Sequence, residues 1–224
     1  MRTNRYFQFS KNMIKNSYRR IFPSLTVVLR RELSYCNTVL DLGCGKNSIV
    51  QNCTTSFSVG VDLFEPDLEE SKKNGIHNQY IIADINRVEF KPKSFDAILC
   101  FEVLEHLTKE EGFYLLSKME KWAKKKIIIT TPNGYIYQNN FDDNPLQEHK
   151  SGWRVGDLKK IGFEVYGMQG WKNLRQYMGT IKYKPLLLWT LISILTQNIT
   201  YRHPKFAFQL FAIKEINDMG DEFL

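Results

Sequence analysis

Seven short apolar segments, separated by helical and turn patterns, most strongly limit the folds open to this chain. They cover residues 38–41, 57–62, 79–83, 96–100, 127–131, 163–168 and 206–213. Most are continuously apolar rather than alternating, as expected for strands that are covered on both faces. A helical pattern starts at Pro66 and stops at Gly75, and another opens with a capping box formed by Thr108 and Glu111. The alternation predicts an α/β fold with an open, doubly wound, mostly parallel sheet.

The chain length suits one domain with an appendage, because 224 residues that are 43% hydrophobic can bury one substantial core. We expect an N-terminal helical segment over residues 1–36 and the main domain over residues 37–224. A long apolar and aromatic insertion, residues 169–203, interrupts the alternation. The N-terminus lacks the pattern of a signal peptide, and the cysteines lack CxxC spacing, so a reducing, cytoplasmic location is expected. These cysteines are Cys36, Cys44, Cys53 and Cys100.

Acidic residues and glycines follow the first strands, at the edge where doubly wound sheets bind ligands. The first strand leads into Asp41, Gly43 and Gly45, where glycines allow a sharp turn close to a ligand and a following helix would offer its N-terminal end. A phosphate loop would require a GKS or GKT sequence, and a dinucleotide loop would have glycine or alanine in place of Ser48. Asp41 would repel a pyrophosphate and instead suits a ligand with positive charge.

The next two strands also end on acids. Asp62 is placed to bind the two ribose hydroxyls of a nucleoside, and Asp84 is placed to accept a hydrogen bond from an adenine amino group beside Ile85. Each acid alone is more often a helix cap or a turn residue. Three acids at three successive strand ends favour a nucleoside site.

The ordered segments "VLDLGCG", "VGVDLF", "ADI" and "FDAILCFEVLEHL" resemble the motifs of class I S-adenosylmethionine-dependent methyltransferases of the ubiquinone-biosynthesis O-methyltransferase kind. The resemblance covers about residues 38–168, and the final "FAFQLFAIKE" is similar to the antiparallel last strand of that family's seven-stranded sheet. It implies S-adenosylmethionine as the cofactor. The residues that it assigns to the cofactor are Gly43 and Gly45 at the methionine part, with Asp41 and Cys44 in the same loop, Asp62 at the ribose, Leu63, Asp84 and Ile85 around adenine, and Cys100 and Phe101 beside the methyl group.

Candidate catalytic groups lie in "FEVLEH" and in the loop after the fifth strand. If the first stretch is helical, Glu102, Glu105 and His106 share one face, while His149 follows later. Small-RNA 2′-O-methyltransferases and ubiquinone-biosynthesis O-methyltransferases carry a similar Glu-x-x-Glu-His, and the resemblance implies a possible divalent metal, Mg²⁺ or Mn²⁺, which we do not favour. Alternatively, His106 or His149 is a general base with an ordinary imidazole pKa, or His106 only binds the cofactor or the backbone. Tyr135 and Tyr137 are expected either to line the acceptor pocket or to close the core.

The apolar insertion and the basic balance of the chain bear on its partners. Residues 185–199 are too short and too interrupted to span a bilayer, but they form an apolar helix that requires cover from the domain, a dimer partner, a membrane surface or an apolar substrate. The formal charge of +7 suits anionic partners. The N-terminal segment mixes basic and aromatic residues, as single-stranded nucleic-acid binders do, although a lid over the cofactor is favoured.

Together these features predict a methyltransferase that acts on an oxygen of a small-molecule, lipid-linked or sugar-linked acceptor. RNA is the alternative acceptor, and a non-catalytic cofactor-binding or scaffold protein is the alternative of another class. The expected location is cytoplasmic, with a peripheral membrane association through residues 185–199 as one option. The oligomeric state is left open by the sequence.

Overall fold

The computed structural model describes residues 24–139, 144–176 and 179–216, and these form one seven-stranded sheet with helices on both faces. The strands are β1 (Thr38–Leu42), β2 (Phe57–Asp62), β3 (Gln79–Ile82), β4 (Phe95–Phe101), β5 (Ala123–Pro132), β6 (Glu164–Trp171) and β7 (Ala207–Glu215). The helices are α1 (Leu25–Glu32), α2 (Glu65–Lys73), α3 (Lys109–Trp122), α4 (Val155–Lys160) and α5 (Leu186–Arg202).

The strand order is β3-β2-β1-β4-β5-β7-β6, with β7 antiparallel to both of its neighbours. The pairs among β1 to β5 are parallel. This arrangement confirms the predicted doubly wound, Rossmann-like, mostly parallel sheet with an antiparallel last strand. The carboxyl ends of β1, β2, β3 and β4 meet at one edge, which is where the predicted nucleoside residues lie.

Alternate residues of the central strands enter two separate cores. Leu40, Ile98 and Ile127 pack in the core that also contains Leu115 and Trp122 of α3. The residues between them enter the opposite core, which contains Val39, Leu99 and Ile128 together with Val28 and Leu29 of α1 and Leu33 directly after it. A strand buried on both faces has no polar face, which explains the continuous apolar runs in the sequence.

One part of the N-terminal region packs in a core, and the other part lies outside the described residues. α1 contributes Val28 and Leu29 to a core, so residues 25–32 are integral to the domain. Of the helical segment or lid predicted over residues 1–36, residues 1–23 lie outside the described residues, and the lid stays a prediction. The expected insertion begins inside β6, and its helix α5 packs along that strand. Among the described residues, no helix combines the length and apolar character needed to cross a bilayer.

Candidate functional site

A cavity opens at the carboxyl ends of β1, β2, β3 and β4. It brings together six of the residues assigned to the cofactor from the sequence and adds groups from later loops. Its lining consists of Gly43, Gly45, Asp62, Leu63, Asp67, Asp84, Ile85, Asn86, Glu102, Val103, His106, Leu107, Glu111, Asn144, Leu146, Gln147 and Lys150. Five carboxyl groups and a single lysine make the lining acidic within a chain of formal charge +7. Such a cavity attracts a ligand that carries positive charge.

The glycine loop is held against the sheet by backbone hydrogen bonds. The Gly43 amide donates to the Val61 carbonyl at 2.8 Å, and the Gly45 amide donates to Asp62 Oδ2 at 2.8 Å. Both glycines adopt positive φ angles, of 68° and 54°. A Cβ atom on Gly43 would lie 2.3 Å from Val103 Cγ2, whereas one on Gly45 would meet nothing within 4 Å. Glycine is therefore required at Gly43 for packing, and the backbone at Gly45 borders open space.

The helix that was expected directly after the glycine loop does not form. The described chain contains no α-helix after Gly45 before β2, and the short 3₁₀ turn Ile49–Asn52 stands in its place. Ser48 caps this turn by accepting a hydrogen bond from the Val50 amide. The backbone of the loop and the carboxyl group of Asp62, rather than a helix N-terminus, therefore supply the polar groups here.

Asp62 and Asp84 are each fixed by a backbone amide in the turn that follows their strand. Asp62 Oδ1 accepts from the Phe64 amide at 2.8 Å, and Asp84 Oδ1 accepts from the Asn86 amide at 2.9 Å. A carboxylate oxygen has two lone pairs, so both groups keep acceptor capacity toward the cavity. Each acid can therefore stabilise its turn, as such acids commonly do, and also bind a ligand as predicted.

The lining fits S-adenosylmethionine. Leu63 is 47% exposed at the cavity, and with Ile85 it offers apolar walls for a flat ring. Asn86 Oδ1 is buried without a hydrogen-bond partner in the described structure, so an acceptor is free beside these walls. Two carboxylates suit ribose and amino donors, and the acidic lining suits a sulfonium. The residues present therefore match both the polar and the apolar parts of the cofactor.

Four residues assigned to the cofactor from the sequence do not line this cavity. Asp41 is 2% exposed, accepts a hydrogen bond from Ser48 Oγ, and lies 3.5 Å from His77 Nε2, behind the loop. Burial raises the pKa of Asp41 to about 7. The structure thus places this carboxyl under the loop, where it supports the turn, rather than facing a cationic ligand.

The other three side chains also point elsewhere. Cys44 and Cys100 are buried, and burial raises the pKa of both thiols, so both stay protonated. The side chain of Cys100 belongs to the α3 core, and that of Phe101 packs against the opposite core. Cys100 and Phe101 are consecutive residues of a strand whose two faces are both covered. The apolar pattern of such a strand does not show which side chain faces a ligand.

The "EVLEH" stretch is not an α-helix. It forms a three-residue 3₁₀ turn, Leu104–His106, so Glu102, Glu105 and His106 do not share a helical face. Glu102 adopts a φ of 53° and accepts from Gln209 Nε2 at 2.9 Å, at the wall of the cavity. Glu105 turns away into the core, where Thr131 Oγ1 donates to it at 3.0 Å. Burial raises the pKa of both carboxyls, and the Glu102 charge adds to the shift at Glu105.

The two candidate histidines form a contact pair with ring centroids 4.9 Å apart. His106 Nδ1 lies 3.1 Å from the Glu148 carbonyl, and His149 Nδ1 lies 2.6 Å from the Ile136 carbonyl. Because a carbonyl can only accept, each Nδ1 carries the proton and each Nε2 presents a lone pair. His106 lines the cavity, while His149 is buried behind it.

The imidazole pKa values differ from the ordinary ones that were expected. Burial lowers the pKa of His106 to about 4 and also lowers that of His149. The low pKa arises because a charged imidazolium loses its hydration inside the protein. Both rings are therefore neutral near pH 7, able to accept a proton or a metal but weak as bases.

Glu105, His106 and His149 are also a group that could hold a metal ion, since one ligand atom from each lies within 4.8 Å of the others. Two imidazoles and one carboxylate form a set typical of Zn²⁺ and other transition metals more than of Mg²⁺, which prefers several oxygen ligands. Glu102, the other acid of the predicted Glu-x-x-Glu-His set, is not part of this group.

Some site residues were not identified from the sequence. Ser48 and His77 support Asp41 behind the glycine loop, and His77 Nδ1 lies 3.3 Å from Ser58 Oγ. Asn144 and Lys150 reach the cavity from the loop after β5. Asn144 precedes Pro145 and accepts from the Leu146 amide, a turn signal that could have been recognised. The approach of distant loops to one cavity has no local sequence signal.

The turn after β5 lines a second, separate cleft. Tyr135 is exposed, and its cleft contains the cations Arg154, Lys172 and Lys205 without an acidic lining residue. The Tyr135 hydroxyl donates to the His149 carbonyl at 3.3 Å, which connects this cleft to the histidine pair. Tyr137 is exposed and lines neither this cleft nor the acidic cavity.

Comparison with known proteins finds a methyltransferase domain and O-methyltransferase relatives. Residues 40–129 match the family model described as a methyltransferase domain. A small RNA 2′-O-methyltransferase of Tetrahymena thermophila is 21% identical over 61% of this chain and 39% of its own length. A ubiquinone biosynthesis O-methyltransferase of Neisseria meningitidis is 26% identical over 48% of this chain and 45% of its own length. The chain thus matches less than half of the length of these relatives.

One solved structure has the same fold over nearly the whole chain. An S-adenosylmethionine-dependent methyltransferase from Archaeoglobus fulgidus superposes with a TM-score of 0.53, over 94% of this chain and 99% of the other, at 19% sequence identity. At that identity the similarity concerns the fold.

Proposed function

Since the chain belongs to the class I S-adenosylmethionine-dependent methyltransferases, we propose that it transfers a methyl group from S-adenosylmethionine to an oxygen of a small-molecule, lipid-linked or sugar-linked acceptor. The observation that supports this proposal best is the acidic cavity in which Gly43, Gly45, Asp62 and Asp84 meet His106. A cofactor site and a proton acceptor thereby share one space. The substrate class is the part of the proposal that needs direct measurement.

The chain's own residues would hold the cofactor along the edge of the sheet. Asp62 would accept from the ribose hydroxyls, Leu63 and Ile85 would enclose the adenine, and Asp84 and Asn86 offer acceptors for its amino group. The Gly43–Gly45 loop would border the methionine part, as the family motif implies. When bound, this cofactor supplies a methyl group on a positively charged sulfonium, which is already a strong electrophile.

The remaining work of the protein is to orient the acceptor and to receive its proton. Positioning of the reactants can supply a large part of the rate enhancement in such reactions. His106 presents an unprotonated Nε2 at the cavity, and its Nδ1 is held by the Glu148 carbonyl, so the ring cannot rotate freely. It can therefore take a proton from an acceptor hydroxyl, although its low pKa makes this transfer demanding.

The cationic cleft beside Tyr135 favours an acceptor with an anionic group. Arg154, Lys172 and Lys205 line it together, and Tyr135 links it to the histidine pair. A phosphate on a sugar or on a lipid carrier would be attracted to three cations in one cleft. This charge pattern supports a sugar- or lipid-linked acceptor more than a neutral one.

Calorimetry with S-adenosylmethionine tests the cofactor assignment. We expect binding to the wild-type protein and a loss of about 100-fold or more for Asp62→Ala, because two charge-assisted hydrogen bonds are removed. Asp157→Ala is the matched control, since Asp157 pairs with Lys109 outside the cavity. Absence of binding to wild type would refute the catalytic proposal and leave a scaffold role.

The acceptor is tested by incubating the protein with cell extracts and S-adenosylmethionine carrying a labelled methyl group. We expect the label in a small-molecule or lipid fraction. RNA is the second candidate, because one matched relative acts on small RNA. Label in RNA, with affinity that falls steeply as salt rises, would favour that alternative.

A further inference from the structure

Helix α5 packs on the protein through its polar residues. Gln197 donates to the Gly167 carbonyl at 3.0 Å and accepts from the Gly170 amide at 2.7 Å. Arg175 donates to Ser193 Oγ at 2.9 Å. Ser193, Gln197 and Thr200 are the residues of this helix that are buried. The usual arrangement, with apolar residues inside and polar residues outside, is reversed.

The orientation of the helix is fixed by close backbone packing. A Cβ atom on Gly167 would lie 2.1 Å from the Thr200 carbonyl oxygen, and one on Gly170 would lie 2.3 Å from that of Ser193. The helix therefore approaches β6 at two glycines, where its polar face fits. A rotation that buried the leucines would break the Gln197 hydrogen bonds and bring larger side chains against these glycines. The outward apolar face is thus built into the packing.

The exposed face of α5 is a continuous apolar surface, which we call the leucine face. Its side chains are between 50% and 74% exposed. They are Leu187, Leu188, Leu191, Leu195 and Ile199. Exposed aromatic rings of Trp171, Tyr183 and Phe206 lie in the neighbouring segments. An exposed apolar patch of this kind commonly marks a docking surface.

The chain around the leucine face is strongly basic. Residues 165–214 contain no aspartate or glutamate but contain seven lysines and arginines. Two of these are engaged with the protein, Arg175 with Ser193 and Lys214 with Glu120. The other five are exposed, namely Lys172, Lys182, Lys184, Arg202 and Lys205. An apolar face bordered by cations and aromatic rings matches the interface of an anionic bilayer.

We propose that the leucine face docks this protein on the surface of an anionic phospholipid bilayer. The leucines would enter the boundary between headgroups and acyl chains, and the surrounding lysines and arginines would contact the phosphates. A second copy of the chain fits the surface less well, because a symmetric dimer would bring two acid-free, basic regions together. This proposal concerns a surface separate from the cofactor cavity and stands whether or not the protein proves to be a methyltransferase.

Cosedimentation with lipid vesicles tests the proposal on the full chain. The probes are vesicles of phosphatidylcholine alone and of phosphatidylcholine with phosphatidylglycerol, at low and high salt. We expect binding to the anionic vesicles that weakens with salt. Leu191→Glu combined with Leu195→Glu should weaken it by about tenfold or more, because two charges would enter the apolar boundary. Both leucines are exposed, so the fold should tolerate the change.

Matched variants separate docking from general effects of charge or stability. Tyr35→Glu with Tyr114→Glu adds the same charge at exposed aromatic residues away from α5 and should bind about as well as wild type. Lys182→Glu with Lys184→Glu leaves the helix intact and should weaken binding by about tenfold or more. Circular dichroism verifies the fold of each variant. If the leucine-face variant misfolds, vesicle binding by the lysine variant tests the proposal.

Three results would overturn the proposal. They are the absence of binding to anionic vesicles at low salt, equal binding to neutral and anionic vesicles, and a leucine-face or lysine variant that is folded and binds like wild type. Sedimentation analysis could give a fourth result that overturns the proposal. A wild-type dimer that the leucine-face variant dissociates would show that a second copy covers this face.

Discussion

At the scale of single residues, burial determines the protonation of the groups around the cavity. It lowers the pKa of His106 and His149 and raises that of Glu102 and Glu105. Each shift has the same cause, since the charged form loses hydration that the protein only partly replaces. Of these four residues, Glu102 and His106 line the cavity, and burial works against the charged form of each side chain.

Histidine NMR tests the state of His106. We expect an Nδ1-protonated, neutral ring at pH 7 that titrates only near pH 4, to which burial lowers its pKa from 6.5. The His106→Asn variant identifies the signal. A folded-state pKa below the unfolded one means that this residue favours folding above about pH 6.5 and that its contribution is lost as pH falls toward 4. A midpoint near 6.5 would contradict the assignment.

The glycine loop gives a second prediction at this scale. Gly43→Ala should lower the free energy of unfolding by about 2–4 kcal/mol, since it combines a positive φ with a collision against Val103. Gly45→Ala should cost only about 1–2 kcal/mol, because its Cβ meets open space. Urea unfolding measures both. Adding Val103→Ala to Gly43→Ala should restore part of the loss, and a double-mutant cycle without coupling would refute the contact.

At the scale of elements, two segments depart from the periodicity of their sequence. The "EVLEH" stretch has helical spacing but forms a 3₁₀ turn, since Glu102 takes a left-handed conformation and Glu105 is held by Thr131. Helix α5 has the predicted type but buries its polar side. In both cases tertiary hydrogen bonds override the local pattern.

The packing of α5 can be measured through its buried amide. Gln197→Leu should destabilise the protein by about 1–3 kcal/mol, because the Gly170 amide and the Gly167 carbonyl would lose their partner. Asn198→Leu, at the neighbouring half-buried residue, is the control and should change stability by less than about 0.5 kcal/mol. Equal midpoints of urea unfolding for the two variants would show that the polar contacts do not seat the helix.

At the scale of the whole molecule, charge is divided between two regions. The cofactor cavity contains five carboxyl groups, whereas residues 165–214 contain no acid. The formal charge of +7 therefore conceals an acidic cavity in a basic chain. Such a division would let one molecule attract the cationic cofactor at one place and the proposed anionic acceptor or membrane at another.

The metal question belongs to this scale because it concerns the whole reaction. We expect methyl transfer to keep its rate in excess EDTA, since a sulfonium methyl group needs no Lewis acid and burial favours the protonated, non-ligating form of Glu105. The measurement is turnover before and after chelation. Chelation would instead assign a metal to Glu105, His106 and His149 if it removed the activity and added Zn²⁺ or Mn²⁺ restored it. In that case His149→Ala should abolish the restoration by metal.

The sequence by itself determined the positions of the strands, the order of the motifs along the chain and the acids at the strand ends. Seven apolar runs predict a doubly wound sheet, because strands covered on both faces must be continuously apolar, and the positions of Asp62 and Asp84 are set by where those strands end. Local sequence signals also predict most helix positions. The capping box of Thr108 and Glu111, for example, forms as predicted. The family resemblance came from this same ordered series.

Only the tertiary structure decided which side chains reach the cavity and which face of α5 is exposed. Asp41 and Cys100 share strand-end positions with Asp62, yet they are buried, while Lys150 arrives from a distant loop. The leucine face is outward because Gly167 and Gly170 admit the polar side of the helix at close range. Sequence periodicity specifies that a helix has two faces, but the partner surface, which depends on residues far apart in the chain, selects the face that is buried.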